Sequence, residues 1–209
     1  MRLLNKMSAI IFWHDVYHFN GMSKILLLIK FNFMSEIHPV ENLNHLLDHD
    51  SRKFTIAEIQ LQNVLPGWIQ KANSLKLKSI LQKYFELVKM HVSKLETFFE
   101  EESYSYLNSN NRIMQILIEE AEEKINNCTN PFLKDACLLS TVQNINHYKI
   151  STYGTAAAFA NTLGKSKTAV LFHECEVNEK QIDDRLSQLA EFEINKKARN
   201  AVEIPRYIK

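Results

Sequence analysis

Apolar residues recur at alternating spacings of three and four along four long segments of the chain, the pattern that forms one apolar face of an α-helix. The clearest segment covers about residues 76–100, where the apolar seam consists of Leu77, Leu81, Tyr84, Val88, His91, Leu95 and Phe98. The pattern predicts other long helices at about residues 41–72, 131–163 and 166–197, and a shorter helix at about 113–126. These elements predict an all-α protein, an antiparallel four-helix bundle with an additional short helix between its second and third long helices.

Local signals support these boundaries. Asn130 followed by Pro131 is typical of an N-cap and a first helical turn, and Gly164 is expected to end the third long helix. Pro66 lies inside the first helix and is expected to kink it rather than end it, because the apolar pattern continues at Trp68.

Composition narrows the classes of function. The chain has 209 residues, of which 45% are apolar and 23% charged, which is ordinary for a globular protein with one sizeable core. Its 25 basic and 24 acidic residues give a formal net charge of +1, which provides no electrostatic footprint for nucleic acid or an anionic membrane. No apolar run approaches the roughly 18–20 residues of a membrane span. We therefore expect no nucleic-acid partner and no membrane insertion.

The three cysteines, Cys128, Cys137 and Cys175, lack the spacing of a metal site and are expected to be small buried hydrophobic side chains. Their odd number leaves no complete disulfide set, which favours a reducing cytosol. The sequence contains no Gly-rich phosphate loop, no Gly-x-Ser-x-Gly and no His-Glu-x-x-His. It therefore gives no support to those enzyme classes.

Each long helix carries polar residues on or beside its apolar seam. A buried polar group without a partner costs on the order of 1–3 kcal/mol, so such positions are informative. They fall near the middle of each helix, where one level of an antiparallel bundle would bring them together: Glu58, His91, Asn146, Lys149, Asn178, Glu179 and Asp183. Inward carboxylates and histidines form dinuclear iron or manganese sites in helical bundles. The alternative, which the pattern leaves open, is a hydrogen-bonded core histidine with edge carboxylates in solvent.

The segment 142–155 reads Val-Gln-Asn-Ile-Asn-His-Tyr-Lys-Ile-Ser-Thr-Tyr-Gly-Thr and strongly resembles the signature of the YciE/YciF ferritin-like family. Members usually read there Val-Glu-His-Tyr-Glu-Ile-Ala-x-Tyr-Gly-Thr. The resemblance covers about residues 44–195, with further matches in order at Ala57-Glu58 before Leu65-Pro66, His91-Val92 before Leu95, Leu117-Ile118-Glu119-Glu120, and Glu179-Lys180 before Asp183 and Leu186. It implies a ferritin-like bundle similar to rubrerythrin, in a bacterial, cytosolic and often dimeric protein linked to stress responses.

The resemblance also implies metal ligands at individual positions. Glu58 matches a carboxylate of the first helix, His91 a histidine of the second, and Glu179 a carboxylate of the last. With two further acidic residues, the candidate metal ligands are Glu58, Glu86, His91, Glu179 and Asp183.

Other positions depart from the family pattern. Asn146 and Lys149 stand where the signature has two glutamates. Leu87, Tyr84 and Asn178 replace a carboxylate, a histidine and an acidic residue that many members carry. A dinuclear iron or manganese pair carries about +4 and is held by several anionic ligands. We therefore expect a degraded site that binds no metal, or binds iron or manganese weakly.

Lys149 suggests a specific replacement for the metal. An ammonium group among Glu58, Glu86 and Glu179 would balance their charges, because a buried charge is tolerated only when it is paired. The alternative is that Lys149 extends from the edge of the seam to solvent.

Three functions are compatible with these features. The first is a metal-poor ferritin-like stress protein, a cytoplasmic homodimer that acts through structure or association and not as an enzyme. The second is a working oxidase, peroxidase or iron-handling protein with the atypical ligand set above. The third is a dimeric interaction module that uses an exposed Phe99, or the predicted loop at Tyr104–Tyr106, as its contact.

The first 33 residues are expected to be an upstream extension that is absent from the native protein or disordered, the bundle to cover residues 34–197, and residues 198–209 to form a loose tail. Charged and polar residues interrupt the early apolar stretches, and Met34-Ser35-Glu36 resembles a natural start. We predict that mass spectrometry of the natively expressed protein finds its first peptide at or just after Met34. A peptide that maps upstream of Met34 would contradict this prediction.

Overall fold

The computed structural model describes residues 40–101 and 110–200 of the chain. Its helices in these ranges are α1 (Leu43–Lys71), α2 (Leu75–Glu101), α3 (Arg112–Asn127), α4 (Pro131–Thr162), α5 (Ser166–Leu189) and α6 (Asn195–Asn200), with a π-helical segment, Ala190–Ile194, before α6. The all-α class predicted from the periodicity is confirmed. The expectations for residues 1–33 and for residues 201–209 of the tail lie outside the described residues, whereas residues 198–200, which were expected to be loose, belong to α6. Within those described, no helix combines the length and apolar character needed to span a lipid bilayer.

The four long helices pack as a ring. Helices α1 and α5 each pack against both α2 and α4. Contacts of Gln143 with Ser187 and of Gly154 with Glu176 show that α4 and α5 run antiparallel. Helix α3 packs outside this ring, against α4 and α1. The predicted four-helix bundle with one additional short helix is therefore confirmed.

Side-chain caps set the helix boundaries. Asn42, Asn111 and Asn130 each use the side-chain oxygen to accept hydrogen bonds from backbone N–H groups in the first turn of α1, α3 and α4. Gly164 follows α4 with a φ of 71°, a left-handed conformation that glycine adopts without strain. Helix α1 continues through Pro66, as expected.

A polar layer divides the core of the bundle into two apolar parts. The larger part takes buried residues from every long helix and from α3, among them Leu61, Leu65, Leu81, Val88, Ile125, Leu138, Val142, Ile182 and Leu186. The other part is rich in aromatic and small residues and includes Phe54, Leu95, Phe98, Tyr153, Ala156, Ala160 and Phe172. Buried Glu58, His91, Lys149 and Glu179 lie between the two parts along their helices. The apolar parts hold the helices together, and the polar layer is the candidate site.

The π-helical segment changes which side chains face the core at the end of the last long helix. Buried residues of α5 recur at spacings of four and three through Ile182, Leu186 and Leu189, but the next buried residue, Ile194, comes five positions later. A regular α-helix would turn a residue at that spacing away from the core, and the wider π turn restores it to the buried face. The predicted continuous helix therefore extends to Asn200, with an irregularity that period counting does not anticipate.

Phe99 is not exposed, and its proposed use as a surface contact is wrong. Its side chain is 1% exposed and packs against Phe98, with ring centroids 5.1 Å apart. Both adjacent residues are buried because the apolar face widens at this end of α2. The loop at Tyr104–Tyr106 lies outside the described residues.

A carboxylate from α4 caps the start of α2. Asp135 is buried, and its Oδ1 and Oδ2 accept hydrogen bonds from the backbone N–H groups of Asn73 (2.7 Å) and Ser74 (2.8 Å). These donors precede a helix whose N-terminal end favours negative charge. The contact ties α4 to the turn between α1 and α2.

We predict that Asp135→Ala lowers the free energy of unfolding by about 2 kcal/mol, because the backbone N–H of Asn73 and the buried backbone N–H of Ser74 both lose their acceptor. Urea denaturation measures the change. Asp135→Asn should lose less, since one amide oxygen still accepts, and Asp184→Ala at an exposed position serves as the matched control. Equal stability of Asp135→Ala and the control would contradict the capping role.

Candidate functional site

The buried polar layer, defined as Glu58, Tyr84, His91, Asn146, Lys149, Tyr153 and Glu179, draws on all four long helices. Each of its residues is 2% exposed or less. Asn146, Lys149 and Tyr153 follow spacings of three and four and therefore share one face of α4. Tyr84 and His91 lie two turns apart on one face of α2. Helical spacing alone thus directs these side chains to the centre of the ring.

The ammonium group of Lys149 lies at the centre of the layer. Its Nζ is 2.8 Å from Glu58 Oε2 and 2.7 Å from Glu179 Oε1. It also donates a hydrogen bond to the Tyr84 hydroxyl at 3.2 Å. The side chain does not extend to solvent, so of the two orientations considered for Lys149 the structure has the inward one.

Glu58 receives polar contacts on both carboxylate oxygens. Besides the Lys149 contact at Oε2, its Oε1 accepts a hydrogen bond from the Tyr153 hydroxyl at 2.5 Å and lies 3.2 Å from His91 Nδ1. Burial favours the neutral acid and would raise the pKa of Glu58. The charges of Lys149 and His91 and their hydrogen bonds outweigh burial and lower this pKa from 4.5 to about 2. Glu58 is therefore ionised at neutral pH.

Glu179 is enclosed in the same way. Its Oε2 accepts hydrogen bonds from Asn146 Nδ2 at 2.6 Å and from the Tyr84 hydroxyl at 2.9 Å. Its Oε1 accepts from Lys149 and lies 3.4 Å from His91 Nδ1. Burial, followed by the nearby carboxylate of Glu179, raises the pKa of Tyr84 well above its ordinary value, so the phenol stays protonated and remains a donor.

His91 is the second cation of the layer. Its burial would lower the pKa of the imidazole, but hydrogen bonds with Cys175 and Glu179 oppose this effect. A hydrogen bond with Glu58 and the negative charge of Glu58 also raise the pKa of the imidazole. Together these effects outweigh burial, and the pKa of His91 rises to about 11. Asn178 Nδ2 lies 3.4 Å from the other ring nitrogen, Nε2. A protonated His91 carries an N–H at Nε2. This N–H donates a hydrogen bond to the Asn178 side chain when the amide oxygen of Asn178 faces the ring.

The pKa of Lys149 follows the same balance. Burial would lower it, but the charges of Glu179 and Glu58 raise it well above its ordinary value. The layer therefore combines two carboxylates with two side-chain cations, Lys149 and His91.

Two of the five candidate ligands lie outside the layer. Glu86 is on the outer side of α2, where its exposed carboxylate pairs with Lys89 at 2.6 Å. Asp183 is half-buried one turn beyond Glu179, and its Oδ1 lies 3.3 Å from Nε2 of the exposed His147. Only Glu58, His91 and Glu179, among the described residues, form a group of three potential ligands, with ligand atoms within 4.8 Å of one another.

The apolar periodicity includes Tyr84 and Tyr153 as seam residues, yet both donate hydrogen bonds to the carboxylates. The available signal was chemical: a buried tyrosine hydroxyl usually needs a partner, and Tyr84 and Tyr153 share the buried faces of their helices with His91 and Lys149. The proximity of Cys175 to His91 had no signal in the sequence, because it depends on how α5 packs against α2.

A ring of four long helices that directs carboxylates and a histidine to one central level defines a ferritin-like bundle as the class of this protein. A family model described as a domain of unknown function, DUF892, matches residues 42–199. The protein YciF of Escherichia coli K12 is 33% identical over 145 residues, which cover 69% of this chain and 87% of YciF. The chain therefore belongs to the DUF892 family and is of the YciF type.

Solved structures agree with this assignment. The crystal structure of the E. coli stress protein YciF matches with a TM-score of 0.70 at 29% identity, covering 75% of this chain and 99% of that one. YcfI from Rhodopseudomonas palustris, described as a candidate structural protein, matches with a TM-score of 0.70 at 25% identity, covering 73% of this chain and 98% of that one. The family resemblance expected from the segment 142–155 is confirmed.

We predict that His91 makes stability fall at alkaline pH. Its pKa is about 11 in the folded protein against 6.5 ordinarily, so its stabilising effect is complete below about pH 6.5 and is lost as the pH rises toward 11. Over that interval the folded state holds a proton that the unfolded chain releases, and the free energy of unfolding should fall by roughly 1 kcal/mol per pH unit.

Urea denaturation of the wild type and of His91→Gln across this pH range isolates the effect. The glutamine amide can still donate hydrogen bonds to a carboxylate but does not titrate, so the variant should lack this part of the slope. Parallel pH profiles for the two proteins would show that His91 does not hold the proton.

Glu58 acts in the opposite direction: its stabilising effect is complete above about pH 4.5 and is lost as the pH falls toward 2.

Proposed function

We propose that this protein is a ferritin-like stress protein in which the Lys149 ammonium occupies the place of a metal centre, so that the bundle acts through its structure and association and not as a metalloenzyme. One observation carries the proposal: Lys149 Nζ lies within 2.8 Å of a carboxylate oxygen of both Glu58 and Glu179. An ammonium group in that position occupies the space between the two carboxylates and repels a second cation.

The residues present do not fit a dinuclear iron or manganese pair. Such a pair carries about +4 and is held by several anionic oxygens, usually four carboxylates in ferritin-like bundles. The layer contributes the carboxylates of Glu58 and Glu179, and the cations Lys149 and His91 offset both. Glu86, which would add negative charge, pairs with Lys89 on the outer surface. The layer therefore has no surplus negative charge to hold a dinuclear metal pair.

Asn146 supports the same interpretation. It occupies one of the two glutamate positions of the family signature, and its amide donates to Glu179 Oε2 at 2.6 Å. A glutamate at position 146 would be a third carboxylate in the layer and would lie next to Glu179. A cation would then be needed between these two carboxylates. An amide at position 146 and an ammonium group at position 149 together provide donors where the family signature has acceptors.

The relatives support a role in stress. YciF of E. coli is named a stress protein, and YcfI is described as a candidate structural protein. We extend the first description to this chain and propose a cytoplasmic homodimer, as the family resemblance implies. Sedimentation velocity of the purified protein tests the dimer directly.

The alternative is a metalloprotein with an atypical ligand set. Its support is the group of Glu58, His91 and Glu179, whose ligand atoms lie within 4.8 Å of one another, together with the Oδ1 atom of Asn146, which is buried and has no hydrogen-bond partner among the described residues. These groups could hold one metal ion if Lys149 withdrew.

We predict that the wild-type protein, expressed with added iron and manganese, contains far less than one equivalent of either metal by elemental analysis. Lys149→Met should lose roughly 3–5 kcal/mol of stability without metal, because it leaves two buried carboxylates with one cation. The same variant should gain affinity for a divalent cation, read as visible absorption on Co²⁺ addition and as a rise in Tm.

Lys180→Met is the matched control, because Lys180 lies beside Glu179 in the sequence but forms an exposed ion pair with Glu176. Such pairs contribute about 0–1 kcal/mol, and the control should bind no Co²⁺. Two equivalents of iron or manganese per wild-type chain would overturn the proposal and favour the alternative. A stability loss in Lys149→Met no larger than that of the control would overturn the charge-balancing role.

A further inference from the structure

Cys128 and Cys137 form a thiol pair at the turn between α3 and α4. Their Sγ atoms lie 3.3 Å apart, and both side chains are half-buried, whereas Cys175 is fully buried. The expectation that all three cysteines are buried hydrophobic side chains therefore holds for Cys175 alone. The nine-residue separation of the pair matches no motif, so spacing alone does not predict that these two sulfurs lie together.

The two sulfurs are attached to different kinds of backbone. Cys128 is the C-cap of α3, with extended backbone that begins the short turn before Asn130 caps α4. Cys137 lies within α4, between Asp135 and Leu138 in the sequence. Both of these residues are buried and hold this part of α4 in place. A disulfide has an S–S length of about 2.05 Å, so the sulfurs must approach by a little over 1 Å. The non-helical backbone at Cys128 allows this movement by local rotation.

We propose that Cys128 and Cys137 form a reversible intrachain disulfide when a peroxide oxidises the protein. One thiolate attacks a peroxide oxygen, the O–O bond breaks, and the sulfur becomes a sulfenic acid while water or an alcohol leaves after protonation. The second thiol then attacks that sulfur, the S–O bond breaks, and a water molecule leaves as the S–S bond forms. Two thiols lose two electrons and two protons, and the peroxide gains them.

The surroundings fit a pair that rests in the reduced state. Burial raises the pKa of the Cys137 thiol, and its hydrogen bond with Cys128 raises it further, although the nearby charge of Lys124 opposes both. Cys137 therefore keeps its proton at neutral pH. Cys128 and Cys137 are both partly exposed and so open to a molecule as small as hydrogen peroxide, while the buried Cys175 is protected.

The disulfide would fasten the connection between α3 and α4. The same part of α4 carries Asp135, which caps α2, so the bridge would stiffen one end of the bundle. Closing a loop of this length restricts the unfolded chain, and Tm should rise by roughly 5 °C. The device is independent of the buried polar layer, because it uses neither a carboxylate nor a residue of that layer.

The test uses the full-length protein, reduced and then treated with hydrogen peroxide. Alkylation and peptide mass spectrometry should find a bridged peptide joining Cys128 to Cys137, a free Cys175 thiol, and an intact mass lower by two hydrogen atoms. Dithiothreitol should restore all the thiols and lower Tm to its starting value. Cys128→Ser and Cys137→Ser should each abolish the bridge and the Tm rise, while Cys175→Ala, the control, should keep both.

Other outcomes would overturn the proposal. These are stable sulfenic or sulfinic acid on one cysteine without a bridge, disulfides only between separate chains, or a bridge that includes Cys175. If Cys175→Ala proves too unstable to study, the free Cys175 peptide from the wild type serves as the control. Retention of both free thiols at a peroxide dose that oxidises an exposed reference thiol would also exclude the switch.

Discussion

The bundle depends on one constraint: the Lys149 ammonium and the carboxylates of Glu58 and Glu179 are all buried and must remain together. Each of these charges would be strongly destabilising without its partners. They come from three different helices, so satisfying them fixes the relative height of those helices. A slip of one helix by a single turn would move its charged group by about 5.4 Å and break the contacts. Apolar side chains alone tolerate such shifts far better, because their attraction has no direction.

Stability and specificity therefore have different sources in this protein. The two apolar parts of the core, one on each side of the layer, supply the driving force for folding. The layer adds little net stability, since desolvation offsets much of the attraction between buried charges. Its contribution is the register of the helices. The hydroxyls of Tyr84 and Tyr153 strengthen the layer because each donates a further hydrogen bond to one of the two carboxylates.

Periodicity was sufficient to predict the helices and the level at which their polar residues meet, because both depend on spacing within one helix. It could not decide the orientation of Lys149, since a long side chain at the edge of a seam can turn either way. Glu86 lies off the apolar seam of α2, so seam periodicity does not place it in the layer, and its carboxylate pairs with Lys89 on the outer side of the helix. The pairing of Cys128 with Cys137 depends on a turn between helices, which no periodic pattern describes.

A bundle that balances its central charges with its own side chains differs physically from one that needs a metal. In a metal-dependent site, carboxylates repel one another until the cation binds, so folding and metal supply are coupled. The ammonium of Lys149 belongs to the chain itself and already lies between the carboxylates of Glu58 and Glu179, so the proposed function removes this coupling. Under the proposed function, this protein folds fully when iron or manganese is scarce. The buried layer then supplies no redox-active metal, and the half-buried thiols of Cys128 and Cys137 are groups outside the layer that a peroxide could oxidise.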